Sequence, residues 1–115
     1  MRMKKEISWN DFEKIDIRVG TITEVSDFPK ATRPAWRLLI DFGTGVGEKK
    51  SSAQITAHYK KEDLIGTQVL AVINFPPKQI ANFISECLVL GVYDENNDVI
   101  LLQPRTPVLN GQPVG

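Results

Sequence analysis

Apolar and polar side chains alternate through Ile15-Asp16-Ile17-Arg18-Val19, the period of a half-buried strand. The alternation then slips, because Ile22 follows Val19 by three residues. Gly20 sits at the slip, where a strand glycine predicts a bulge or tight bend. The pattern predicts one long strand over 16–25, bent at Gly20, feeding a core on both sides of the bend. A small closed barrel needs such a strand at its corner.

The remaining elements follow from the same kind of pattern. Ser8 is an N-cap with Asp11 three residues on, which predicts a short helix over 7–14 with Ile7 and Phe12 spaced as a staple. Trp9 and Phe12 must then dock on something, since so short a helix does not persist alone. Trp36, Leu38, Ile40 and Phe42 predict a strand over 36–42, and the glycine-dense stretch Gly43–Gly47 a hairpin turn. A polar strand over 48–55 follows, with Lys50, Ser52 and Gln54 on one face. A short helix ends at Gly66, a central strand spans 68–74, a proline-rigid loop spans 75–83 and a strand spans 84–92. Val99 to Leu102 predicts one more short strand. Five main strands with a helix between the third and fourth form the layout of an all-β oligonucleotide-binding barrel. One domain is expected, its barrel over 15–92 and terminal extensions over 1–14 and 93–115. Apolar residues in both extensions must be buried, on the barrel or on a second chain.

Composition adds little until charge is read by segment. Lys plus Arg and Asp plus Glu each number 14, so the net charge is zero. Residues 28–61 nevertheless carry seven cations against two acids, a net of +5, whereas residues 84–115 carry −3. The middle of the chain is therefore expected to present a positive surface. The only cysteine, Cys87, lies in an apolar run, which fits a reducing cytosol and excludes an internal disulfide. One histidine, His58, gives no metal-ligand pattern, and no catalytic base stands near Cys87 in the sequence. The expectation is a cytoplasmic protein without cofactor, metal, catalytic activity or membrane insertion.

Asp16-Ile17-Arg18-Val19-Gly20-Thr21-Ile22 resembles the opening strand of the tRNA-binding domain found at the ends of some aminoacyl-tRNA synthetases and in free-standing cofactors. Lys50–Thr56, and Asn74-Phe75-Pro76-Pro77 with Ser85-Glu86, resemble the stand-alone CsaA type of that family, described as export-related molecular chaperones. The likeness covers nearly the whole chain. It implies a homodimer built from the terminal extensions, affinity for unfolded or exported polypeptides, and tRNA binding as in the wider family. Two departures weaken the tRNA expectation. Ala81 and Asn82 replace a basic residue and glycine, and the loop Phe28–Arg33 lacks the His-Pro-x-Ala-Asp-Lys pattern.

Candidate contact residues follow. Arg18 is expected opposite Ile17 and Val19, reaching a phosphate or pairing with Glu86. Lys30, Arg33, Lys49, Lys50 and Lys78 border the expected binding face and are placed to track a nucleic-acid backbone. Ser51, Ser52 and Gln54 offer hydrogen bonds to RNA or to an extended peptide. Phe75 and Phe83 offer stacking or apolar contact, with Phe83 expected in an exposed loop beside Asn82, a residue able to take a positive φ. Ser85 and Glu86 open the fifth strand, where the serine is expected to satisfy loop amides.

Overall fold

The computed structural model describes residues 2–115. Its organising element is β1 (Ile17–Asp27), which pairs antiparallel with β4 (Gln68–Val72) through Ile17–Thr21 and with β2 (Trp36–Asp41) through Thr21–Asp27. One strand thus serves both halves of the barrel. β2 pairs with β3 (Glu48–Ala53) across the Gly43–Gly47 turn, in which the Gly47 N–H donates to the Gly43 carbonyl at 2.7 Å. Gly43 and Gly47 take φ of +87° and +82°, values that L side chains disfavour. β7 (Leu88–Val89) completes a five-stranded sheet in the order β3-β2-β1-β4-β7. The fold is a nearly closed all-β barrel.

The predicted bend lies elsewhere. Gly20 stays in the ladder opposite Val69, and the register shifts between Ile22 and Glu24 instead. The bulge accounts for the three-residue step from Ile22 to Val25, whereas the slip from Val19 to Ile22 is a change of face. Gly20 and Ile22 face the core before it, and Val25 packs against the core after it. Val19 is buried on the other face, while its main chain pairs with the returning C-terminal segment, Val19 N–H to Gln112 O at 3.0 Å and Gly111 N–H to Val19 O at 2.7 Å. Gly20 is there for space rather than for bending. A Cβ at that position would lie 2.6 Å from Ile40 Cγ2 and 2.7 Å from the Phe42 ring.

The core joins Ile22, Leu38, Ile40, Phe42, Leu64 and Val69, all essentially inaccessible. Each large aliphatic side chain so buried contributes roughly 1.5–3 kcal/mol. Leu64 comes from the helix α2 (Lys61–Leu64), which closes one barrel end; Gly66 N–H then donates to Ile22 O at 2.8 Å.

Residues 75–93 depart furthest from expectation. The predicted loop over 75–83 contains β5 (Lys78–Ile80), which forms a hairpin with β6 (Phe83–Ser85). The predicted single strand over 84–92 is three pieces, β6, β7 and β8 (Gly91–Tyr93), the last paired with β9 (Val99–Leu101). Ala81, not Asn82, takes the positive φ, +52°, as the first central residue of the two-residue turn. That is the position a II′ turn reserves for glycine.

The extensions divide. The helix α1 (Trp9–Glu13) carries the predicted capping box, with Asp11 N–H to Ser8 Oγ and Ser8 N–H to Asp11 Oδ2 both at 3.1 Å. Among the described residues its apolar face is only partly docked, with Phe12 half-buried. Trp9 is 85% exposed and Ile7 67%, so the staple is not closed. At the other end Leu101 enters the core, but Leu109 remains 76% exposed.

Gly20→Ala forces Ile40 or Phe42 to shift and is expected to lower stability by about 1–3 kcal/mol. A urea titration that leaves the midpoint unchanged would show that the core yields to the added methyl and that the position does not require glycine.

Candidate binding site

The barrel is closed by side chains rather than by a continuous ladder. The β3 edge needs partners for the amides of Lys50 and Ser52. Glu86 supplies the first, its Oε1 accepting from Lys50 N–H at 2.9 Å while Glu86 N–H donates to Lys50 O at 2.7 Å. Ser85 Oγ accepts from Ser52 N–H at 3.4 Å and donates to Cys87 O at 3.3 Å. Ser51, expected on an exposed face, is instead buried, and its Oγ donates to Cys87 O at 3.1 Å. Glu86 is therefore not paired with Arg18. The expected amide-satisfying role of Ser85 holds, but toward a strand rather than a loop.

Beside this seam runs a groove of about 680 Å³, lined on one side by Phe75, Pro76, Pro77 and Ile80 and on the other by Ser85, Glu86, Cys87 and Leu88. Phe75 is 54% exposed and Leu88 49%. A second groove of about 380 Å³ holds Arg33, Gln54 and Thr32 and shares Ser52, Lys78, Gln79 and Ile80 with the first. The hairpin β5–β6 thus gathers Arg33, Ser52, Gln54, Phe75, Lys78, Ser85 and Glu86 into one concave region, although they are spread over more than fifty positions of the sequence.

Phe83 is not in an exposed loop. It lies half-buried in β6, its ring 5.5 Å from that of Phe28. The Lys50 ammonium stands 5.4 Å from the Phe83 centroid and the Arg37 guanidinium 5.9 Å. Each such cation–aromatic contact contributes about 0.5–1 kcal/mol at an exposed site. Arg37 was missed in the sequence because its predicted strand is dominated by the core positions Leu38, Ile40 and Phe42, with which it alternates; Lys50 and Phe83 share a shallow depression with it. Lys30, Lys49 and Asn82 lie outside these grooves.

Arg18 is also elsewhere. It lies in phase with Gly20 and opposite Ala71, not aimed at the outer face. Its guanidinium folds back onto Asp16, Nε to Oδ1 at 2.6 Å and Nη2 to Oδ2 at 3.3 Å, and donates to Gly111 O at 3.1 Å. This bidentate pair ties the C-terminal segment to β1 rather than facing a ligand.

Two groups bear on chemistry. Burial pushes the Cys87 thiol up to about 11, so the thiolate is scarce at neutral pH. His58 Nε2 lies 2.6 Å from Asp94 Oδ2, with Asp98 nearby, a grouping hidden by sequence separation. The Asp98 amide and the His58 ring hold Asp94 below its usual carboxylate range. Both Asp94 oxygens are engaged, Oδ1 by the Asn96 and Asp98 amides.

Comparison with known proteins gives likenesses over nearly the whole chain. Residues 17–113 match the family described as "Putative tRNA binding domain". The chain is 50% identical to the chaperone CsaA of Bacillus anthracis, with a TM-score of 0.91, covering 96% of this chain and 100% of that one. It is 55% identical to the CsaA chaperone protein of Picrophilus torridus, with a TM-score of 0.90 and the same coverage. It is 34% identical over 110 residues to the methionine–tRNA ligase of Porphyromonas gingivalis, which is 96% of this chain but 16% of the ligase.

The buried Cys87 is expected to resist a maleimide at pH 8 in the folded protein and to react once per chain in urea. Rapid modification of the native protein would contradict the raised thiol.

Proposed function

The chain belongs to the tRNA-binding-domain family, in its CsaA-type branch, and from that premise we propose that it is a homodimeric, cytoplasmic chaperone for unfolded or export-bound polypeptides that also binds tRNA. The observation that carries the polypeptide reading is the groove between Phe75–Ile80 and Ser85–Leu88. Its volume of about 680 Å³ lies in the range of small-ligand sites. Apolar side chains dominate its walls, and half-exposed Phe75 and Leu88 stand at its mouth. Such a surface favours apolar stretches of an extended chain. The Ser52 N–H and the Ser85 hydroxyl are already satisfied across the seam, so they set the groove's shape.

The tRNA reading rests on a different observation. Arg37 and Lys50 flank the Phe83 ring, and Arg33 and Lys78 share the adjoining groove. A cationic rim with an aromatic face suits a single-stranded nucleic acid. As alternative, the protein is a dedicated tRNA binder acting through this rim. Binding rather than catalysis fits both readings, since Cys87 is a poor nucleophile. The dimer is supported by the exposed Ile7, Trp9, Tyr93 and Leu109, which an isologous interface would cover. Among the described residues no helix is long and apolar enough to cross a membrane.

In an aggregation assay with a chemically unfolded client, Phe75→Glu is expected to remove protection while leaving the melting temperature within a few degrees. Retained protection would exclude the groove. Bulk tRNA binding is expected to weaken steeply with salt and client binding far less; a client interaction lost as steeply as tRNA binding would favour the dedicated tRNA binder. Sedimentation at micromolar concentration is expected to give a dimer, and a stable monomer would overturn that part.

A further inference from the structure

The hairpin leaves one edge of β5 without a neighbour. Main-chain alternation fixes which residue faces it. Glu86 turns its N–H toward Lys50 of β3. Ser85, one residue earlier, therefore turns toward Lys78, its register partner on β5. Gln79 and Ile84 then form a pair whose main-chain groups point away from each other. The N–H and C=O of Gln79 face outward, on an exposed residue. Pro77, on the same edge, has no N–H, which blunts the edge against indiscriminate pairing.

Both grooves meet along this strand, since Lys78, Gln79 and Ile80 line each of them. One is walled by Phe75, Pro77 and Leu88, the other by Arg33. The acid lining them, Glu86, has its carboxylate engaged on the Lys50 amide. With Glu86 as the one acid against Lys78 and Arg33, the lining of the two grooves carries a positive balance.

We propose that the open edge of β5 takes up an extended polypeptide segment as an added strand. Apolar side chains at alternate positions enter the groove of Phe75 and Leu88, and acidic side chains between them meet Lys78 and Arg33. This rests on the polypeptide-binding reading above and gives it a substrate class, segments of alternating apolar and acidic residues. Main-chain pairing supplies affinity independent of client sequence, and the two grooves supply the preference. Segments rich in Lys or Arg are disfavoured by like charge.

The test is a fluorescence anisotropy titration of the full chain with labelled eight-residue peptides. One has Leu alternating with Glu, one Leu alternating with Lys, and two copies of the first carry N-methyl groups on one or the other set of alternate amides. The Glu peptide is expected to bind about tenfold tighter than the Lys peptide at low salt, and methylation of one amide set, but not the other, to weaken binding about tenfold. Gln79→Pro removes the outward N–H without touching a ladder bond and is expected to weaken binding similarly, whereas Gln79→Ala keeps it. Equal binding of all methylated and unmethylated peptides, or full binding by folded Gln79→Pro, overturns the added strand. Equal binding of Glu and Lys peptides overturns the charge preference. Absence of binding by every peptide overturns the polypeptide reading itself. Should Gln79→Pro fail to fold, the methylated peptides decide.

Discussion

Closure of the barrel between β3 and residues 85–87 is the constraint on which the rest depends. The last strand of the sheet, β7, pairs with β4 and does not run in a full ladder with β3. Main-chain amides on β3 would be left without partners, at a cost of about 1–3 kcal/mol for each one buried. Ser85 and Glu86 resolve this by placing side-chain oxygens where a strand's carbonyls would stand. The fifth strand is consequently broken into pieces, and the freed segment folds outward as the β5–β6 hairpin. The groove beside Phe75 is a by-product of that break. Fold and candidate function therefore share one cause.

A second consequence concerns the charges. The basic middle segment does not form an undifferentiated positive surface. Arg37 and Lys50 are held over aromatic rings, and Lys61 pairs with Asp27 at 2.9 Å. Arg18, a cation in the most recognisable motif of the chain, is held by Asp16 and the Gly111 carbonyl. What remains beside the grooves is a local rim of Arg33 and Lys78. That rim, beside an apolar groove, is why a polypeptide suits the face at least as well as RNA.

Much of the architecture was legible along the chain. Strand order, the capping box of α1, the glycine turn after β2 and the buried character of Cys87 all follow from local pattern. So did membership of the candidate site for Ser52, Phe75, Lys78 and Ser85. The misreadings have a common origin. Gly20 looked like a bend because an apolar slip has two causes, a kinked strand or a change of face. Phe83 looked exposed because a proline-rich stretch resembles a loop, and Arg37 was passed over because its neighbours are core residues.

The sequence by itself determined the barrel, since alternation, turn residues and caps act over a few positions and need no distant partner. Tertiary structure alone decided which side chains close the barrel, which face Arg18 presents and where the cations end. Those outcomes turn on contacts between residues tens of positions apart, such as Glu86 with Lys50 and Arg18 with Gly111. A bond of that kind is set by register and sheet curvature, and neither is written in the local alternation of apolar and polar side chains.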